Sequence, residues 1–129
     1  MEQIEFLILK NLLHNEKYLR KTIPFIKEEY FQDSNQKIVF EEVSSFVQKY
    51  NELPTKEILT IEVEKRSDIN EESFKEVTHL IGCLDDSPVE FEWLVDTTEK
   101  WCRDRAIYLA LLDSIAIADG KDEKKNPEA

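Results

Sequence analysis

Apolar positions recur every three to four residues through most of the chain, the period of helices with one buried face. Ile4, Leu7, Ile8, Asn11 and Leu12 predict a first helix from about Glu2 to His14. Asn15 can cap a short second helix carrying Tyr18, Leu19 and Ile23, which Pro24 ends or kinks. Phe25 to Phe31 reads as a compact aromatic turn. Asp33 or Ser34 caps a third helix with Ile38/Val39, Val43, Phe46/Val47 and Tyr50 inward, and Asn51-Glu-Leu-Pro54 breaks it. Thr55 caps a fourth, Lys56 to Arg66. Its Ile58–Val63 stretch is rich in β-branched residues, but the cap and the flanking charges fit a helix, and no partner strand can be read elsewhere. Asn70 caps a fifth helix with Phe74, Val77, Leu80, Ile81 and Leu84 inward. Ser87-Pro-Val-Glu90 has the form of a capping box, with serine as N-cap, proline at the first helical position and glutamate two residues on. It would start a sixth helix that Gly120 ends, roughly 45 Å long at 1.5 Å per residue.

The sixth helix changes character halfway. Up to Arg105, Phe91, Leu94, Val95, Trp101 and Cys102 point one way, while Asp96, Glu99, Lys100, Arg103 and Asp104 point the other. From Ala106 to Ala118 only Asp113 and Ser114 are polar. Tyr108, Leu109, Leu112 and Ala116 continue the buried stripe, whereas Ile107, Leu111, Ile117 and Ala118 occupy what had been the wet side. A helix that is apolar all round must be enclosed on every side. The polar residues from Gly120 to Ala129 cannot enclose it, so its second face is expected to need another chain, or a further piece of this one.

Composition narrows the function classes. A length of 129 residues suits one domain with a single core, and two glycines and four prolines leave little room for hairpin turns. A formal charge of −11 argues against a sequence-independent grip on duplex phosphate and favours protein partners. Cys83 and Cys102 form no Cys-x-x-Cys and read as free thiols of a reducing compartment. The opening apolar stretch is interrupted by Glu2 and Glu5, and the 13-residue run 106–118 falls short of a bilayer span, so a cytoplasmic protein is expected.

Candidate chemistry is sparse. With glycine only at 82 and 120 the chain has no Gly-x-x-x-x-Gly-Lys-Ser/Thr loop, so it is not expected to hydrolyse nucleotides or to need a cofactor. Glu76-Val-Thr-His79 has metal-ligand spacing, but di-iron bundles need two such motifs and two further glutamates. His79 and Cys83 supply two ligands where a tetrahedral site needs four. The adjacent acidic pairs, such as Glu28/Glu29 and Asp85/Asp86, point about 100° apart on a helix and do not converge. A helix-turn-helix reading around Pro54 fails because the reader, Lys56–Arg66, is studded with Glu57, Glu62 and Glu64. One charge feature stands out. Lys10, Lys17, Arg20, Lys21 and Lys27 face Glu16 alone within 10–27, a patch that could hold single-stranded nucleic acid or an acidic neighbour, or be a solvated surface.

The order of several short motifs resembles the N-terminal domain of DnaB-type replicative DNA helicases, above all those of T-even-like phages. The likeness spans about residues 2–120. It rests on Leu7-x-x-Lys-Asn-Leu-Leu-His-Asn15, Glu29-Tyr-Phe31, Val39-Phe40, Leu53-Pro54, Asp86-Ser-Pro88, Trp93-Leu-Val95 and Glu99-Lys-Trp-Cys-x-x-Arg105-Ala106. This chain departs from the family at Gln36, where a histidine is common, and at Lys56, where an aspartate is common. The resemblance implies a helical head followed by a helical hairpin. In the family, hairpins from two subunits pack together, and three such dimers form a collar that docks primase and helps organise the ring around single-stranded DNA. The sixth helix would be the hairpin's first arm, with the second arm and the motor beyond Ala129.

These readings together predict an all-α chain, with a collar domain at 1–119 and a tail or linker start at 120–129. Its expected work is self-association and primase docking, with single-stranded DNA a weaker partner and no membrane. The expected oligomer interface is Ile107, Leu111, Ile115, Ile117 and Ala118, with Tyr108, Leu109 and Leu112 shared between core and interface. The alternatives are a stand-alone phage adaptor that applies the same apolar arm to a host protein, and a metal-dependent bundle enzyme.

Overall fold

The computed structural model describes residues 3–118; the expected tail at 120–129 lies outside the described residues, as does Glu2, the expected start of the first helix. Six α-helices make up the described residues: α1 (Gln3–His14), α2 (Glu16–Thr22), α3 (Ser34–Tyr50), α4 (Lys56–Glu64), α5 (Glu71–Gly82) and α6 (Phe91–Ala118). No strand occurs among them. The aromatic segment folds as two 3₁₀ turns, Ile23–Phe25 and Glu28–Tyr30, each one turn long because proline and the tightly packed rings stop propagation.

Side-chain caps start the helices where short polar residues stand. Asn15 Oδ1 accepts from Tyr18 N at 3.0 Å, Asp33 Oδ1 from Asn35 N at 2.9 Å, Thr55 Oγ1 from Ile58 N at 3.1 Å and Asn70 Oδ1 from Ser73 N at 2.8 Å. Each satisfies an amide that the helix itself leaves unpaired. Asn51 ends α3 in the left-handed region, at φ 58°, with its N–H on Val47 O at 2.8 Å. Asparagine tolerates that conformation better than most side chains.

The start of α6 corrects the capping-box expectation. Leu84 to Glu90 is non-helical, so Ser87 is not the N-cap. Glu90 takes that role. Its carboxylate accepts from Glu92 N at 3.0 Å and Trp93 N at 2.9 Å, and its carbonyl accepts from Leu94 N at 3.0 Å. Burial of Leu84 and packing of Val89 against the core hold the segment out of the helix, so tertiary contacts override the local motif.

The core is built from Ile8, Leu9 and Leu12 of α1, Tyr18 and Leu19 of α2, Phe31, Val39 and Val43 around α3, Leu59 and Val63 of α4, Val77 and Ile81 of α5, and Leu94 of α6. Tyr50, expected inward, is 55% exposed; it stacks on Phe46 at the end of α3 instead. Several polar groups lie inside this core. Glu5, 1% exposed, accepts from Gln32 N and Nε2 at 3.3 Å each and from Trp101 Nε1 at 3.4 Å, so it ties α1 to α6 and to the segment before α3. Tyr18 Oη and Thr98 Oγ1 lie 2.6 Å apart and join α2 to α6; burial pushes the tyrosine pKa well above its ordinary value. Gln36 is fully buried, and neither its amide nitrogen nor its amide oxygen has a protein partner among the described residues.

Arg66 clamps the loop after α4 to α3. It bonds Glu42 at 2.7 Å, Glu41 at 3.0 Å and Asp68 at 2.8 Å while only 17% exposed. The guanidinium's hydrogen bond holds the Asp68 carboxyl below its ordinary 3.8, and Lys56 does the same for Asp85 through its own hydrogen bond. Depressed carboxylates contribute stability that is present above their unfolded pKa and lost as pH falls through the folded one. Glu28 works in the opposite sense. A hydrogen bond with Glu41 raises its pKa above 4.5, so its contribution is present below that value and lost as pH rises through the raised one. Urea titrations between pH 5 and 3 should therefore show stability falling below pH 3.8, and Arg66→Met should make that fall shallower. An identical acid slope in the variant would detach Asp68 from Arg66.

Candidate assembly and docking surfaces

α6 is 28 residues long, about 42 Å at 1.5 Å per residue. Its first half docks on α2 and on the 3₁₀ turn at Glu28–Tyr30. Leu94, Val95, Thr98, Trp101 and Cys102 are buried, while Asp96, Glu99, Lys100, Arg103 and Asp104 are exposed, which is the amphipathic division the sequence predicts. Trp101 packs against Phe31 (centroids 5.0 Å) and edge-on to Tyr30 (6.0 Å). Arg105 Nε donates to Tyr30 O at 2.6 Å, a polar tie between α6 and the head.

Beyond Arg105 no described side chain is buried. Ile107 is 55% exposed, Tyr108 51%, Leu111 57%, Leu112 46%, Ile115 57% and Ile117 48%. Of the three residues expected to serve both core and interface, only Leu109 packs against the core. Tyr108 and Leu112 do not and stay about half exposed; the Tyr108 ring lies 5.1 Å from the Arg105 guanidinium. The Ala118 side chain lies outside the described residues. Six large apolar side chains within eleven residues of one helix form a contiguous exposed patch, the kind of surface that marks an interaction site.

The basic segment is less unified than its sequence. Lys17, Arg20 and Lys21 share the exposed face of α2. Arg20 is already engaged, with Glu16 Oε2 at 2.9 Å and with Asn51 Oδ1 and O at 3.0 Å each, where it supports the end of α3. Lys17 sits over the Phe91 ring at 4.4 Å and Lys10 over Phe6 at 5.2 Å. Lys27 is exposed and lines a different groove, with Tyr30 and Leu109.

The candidate metal ligands do not converge among the described residues. His79 Nε2 and Cys83 Sγ are 3.7 Å apart on the surface, and Glu76 bonds Asn35 instead. Among the described residues no group of three or more potential ligands could hold a metal. Burial pushes the Cys102 thiol up to about 12, so it is a packing residue and not a nucleophile. His14 Nε2 donates to Leu84 O at 2.6 Å and joins the end of α1 to the end of α5, a role its lone position did not reveal. No helix among the described residues is long and apolar enough to cross a membrane.

No protein-family model matches the chain. A curated protein, the DnaB-like replicative helicase of Enterobacteria phage T4, is 33% identical over 123 residues, which is 93% of this chain and 26% of that protein. The chain thus spans about a quarter of its relative's length. The likeness covers 93% of the chain, which is a homologue of that DnaB-like replicative helicase.

Proposed function

We propose that this chain is the N-terminal assembly and docking module, within 1–119, of a phage replicative DNA helicase, and that residues from 120 lead towards the rest of that protein. Distal α6 is its self-association surface, one arm of a helical hairpin, and a second copy covers Ile107, Leu111, Ile115 and Ile117. Pairs joined in this way help build the hexameric ring, and the collar they form recruits primase during DNA replication. The observation that carries this reading is the exposed apolar length of α6 beyond Arg105, in a homologue of a replicative helicase. No Walker-type loop stands in this chain, so any hydrolysis would belong to another part of the protein.

Primase recruitment is tested by titrating the cognate primase into the chain and following binding by calorimetry or interferometry. Saturable binding is expected, with the stoichiometry of an assembled collar. Lack of binding at tens of micromolar would leave self-association as the only role. The exposed α2 face, Lys17 and Lys21, is the candidate contact for single-stranded DNA. Its affinity should be weak and steeply salt-dependent, because so few cations face an overall charge of −11.

A further inference from the structure

We propose that the groove between α4 and α5 is a second docking surface, built for an amphipathic helix with basic flanks on a partner protein. This site is separate from distal α6 and makes no use of the self-association surface.

The groove has a volume of about 450 Å³ and is lined by Thr60 and Ile61 of α4 and by Thr78, Ile81 and Gly82 of α5, with Lys56 at its end. Three features leave it unfinished. Leu59 and Val63 are fully buried, whereas Ile61 between them is 52% exposed. The Thr78 hydroxyl is inaccessible to solvent and has no hydrogen-bond partner among the described residues. A Cβ placed on Gly82 would meet nothing within 4 Å, so the chain's own packing does not demand glycine there, and another backbone could approach closely.

Charge identifies the occupant. Glu57 and Glu64 flank Ile61 on the same stripe of α4, and neither has an ion pair among the described residues. Glu71 starts α5, seven residues before Thr78, and Asp85 lies just past its end, three residues after Gly82. Lys56 is neutralised by Asp85 at 3.0 Å, and Lys75 reaches Glu71 only at 3.9 Å. An apolar floor with an acidic rim complements an apolar stripe bordered by lysine and arginine. Phosphate would be repelled by the same rim. An extended peptide would find no sheet edge to join among the described residues. A second copy of this chain is a poor fit as well. The apolar residues beside Lys17 and Lys21 are buried in its own core, and Asp113 is the one charged residue between 107 and 117.

The test uses a synthetic helical peptide with leucines at i, i+3, i+4 and i+7 and lysines on both flanks. It is titrated into the Leu111→Glu protein, so that distal α6 does not compete, and followed by amide chemical shifts. Shifts centred on Ile61, Thr78 and Gly82 are expected. Affinity should fall about tenfold or more in the Glu57→Lys/Glu64→Lys double variant. A peptide with glutamate flanks should not bind, a control that needs no folded variant. The proposal is overturned by absent binding, by shifts mapped elsewhere, or by equal affinity for both peptides. It is also overturned if the double variant, with native helicity, changes the protein's own mass in solution, since a second copy would then be the groove's occupant.

Discussion

Leu111→Glu is expected to shift the protein towards monomer by about two orders of magnitude in dissociation constant, with the head still folded. Leu111 is 57% exposed on the isolated chain, so a covering surface has most of a leucine left to bury. Complete burial of such a side chain is worth ~1.5–3 kcal/mol, and the part still exposed accounts for about half of that. A twofold interface uses each residue twice, which brings the loss to about 1.5–3 kcal/mol, up to roughly 100-fold, before the cost of desolvating a carboxylate is added. Folding should be spared because no head residue depends on Leu111 for its own burial. Light scattering and far-UV circular dichroism at matched concentration read the two effects separately. Ile61→Glu is the control: an isoleucine of similar exposure on α4 whose replacement should leave the mass unchanged. Native helicity with unchanged mass in Leu111→Glu would remove distal α6 from the assembly surface.

The exposed apolar length of distal α6 was legible from one dimension because it is a failure of periodicity. A stripe that ceases to have a polar reverse side after Arg105 shows directly in the order of residues. The same holds for the caps at Asn15, Asp33, Thr55 and Asn70, whose partners sit two or three residues away. Whatever depended on distant partners stayed hidden. Glu5 reads as a surface residue on α1, yet its donors come from positions 27 and 96 residues further along. Thr98 falls within an outward-looking polar run and is fully buried against Tyr18, 80 residues away. Ser87 failed for the complementary reason, since a correct local motif lost to the burial of Leu84 and the packing of Val89 against the core on either side.

The two sequence positions that depart from the family pattern also found their explanations, or lack of one, only in three dimensions. Lys56 donates to Gly82 O at 3.1 Å and to Asp85 Oδ1 at 3.0 Å, and so braces the end of α5 against the start of α4. Gln36 brings a full amide into the core with neither atom paired among the described residues. The basic segment shows the converse. Five cations close in sequence spread over α1, α2 and the following turn, and Arg20 serves the end of α3. Charge runs say little about convergence, because helices turn successive residues by 100°.

Trp101→Ala should be the most destabilising single change on α6, and Trp93→Ala on the same helix should be nearly silent. Trp101 is 8% exposed, contacts Phe31 and Tyr30 ring to ring, and gives its indole N–H to the buried Glu5. Its truncation opens a cavity and removes a donor from a buried carboxylate, a loss of about 3–5 kcal/mol. For a domain of this size that corresponds to a fall in Tm on the order of 15 °C. Trp93 is 50% exposed, so its loss should cost under about 1 kcal/mol. The contrast matters for function because Trp93 and Leu111 lie on one face of α6, about five turns apart, while Trp101 faces the head. If docking of the first half positions the second, Trp101→Ala should weaken self-association together with stability, whereas Leu111→Glu acts on association alone. Equal melting temperatures for the two tryptophan variants would mean that α6 is not held to the head through its Trp101 face, and that the exposed arm is not a rigid extension of it.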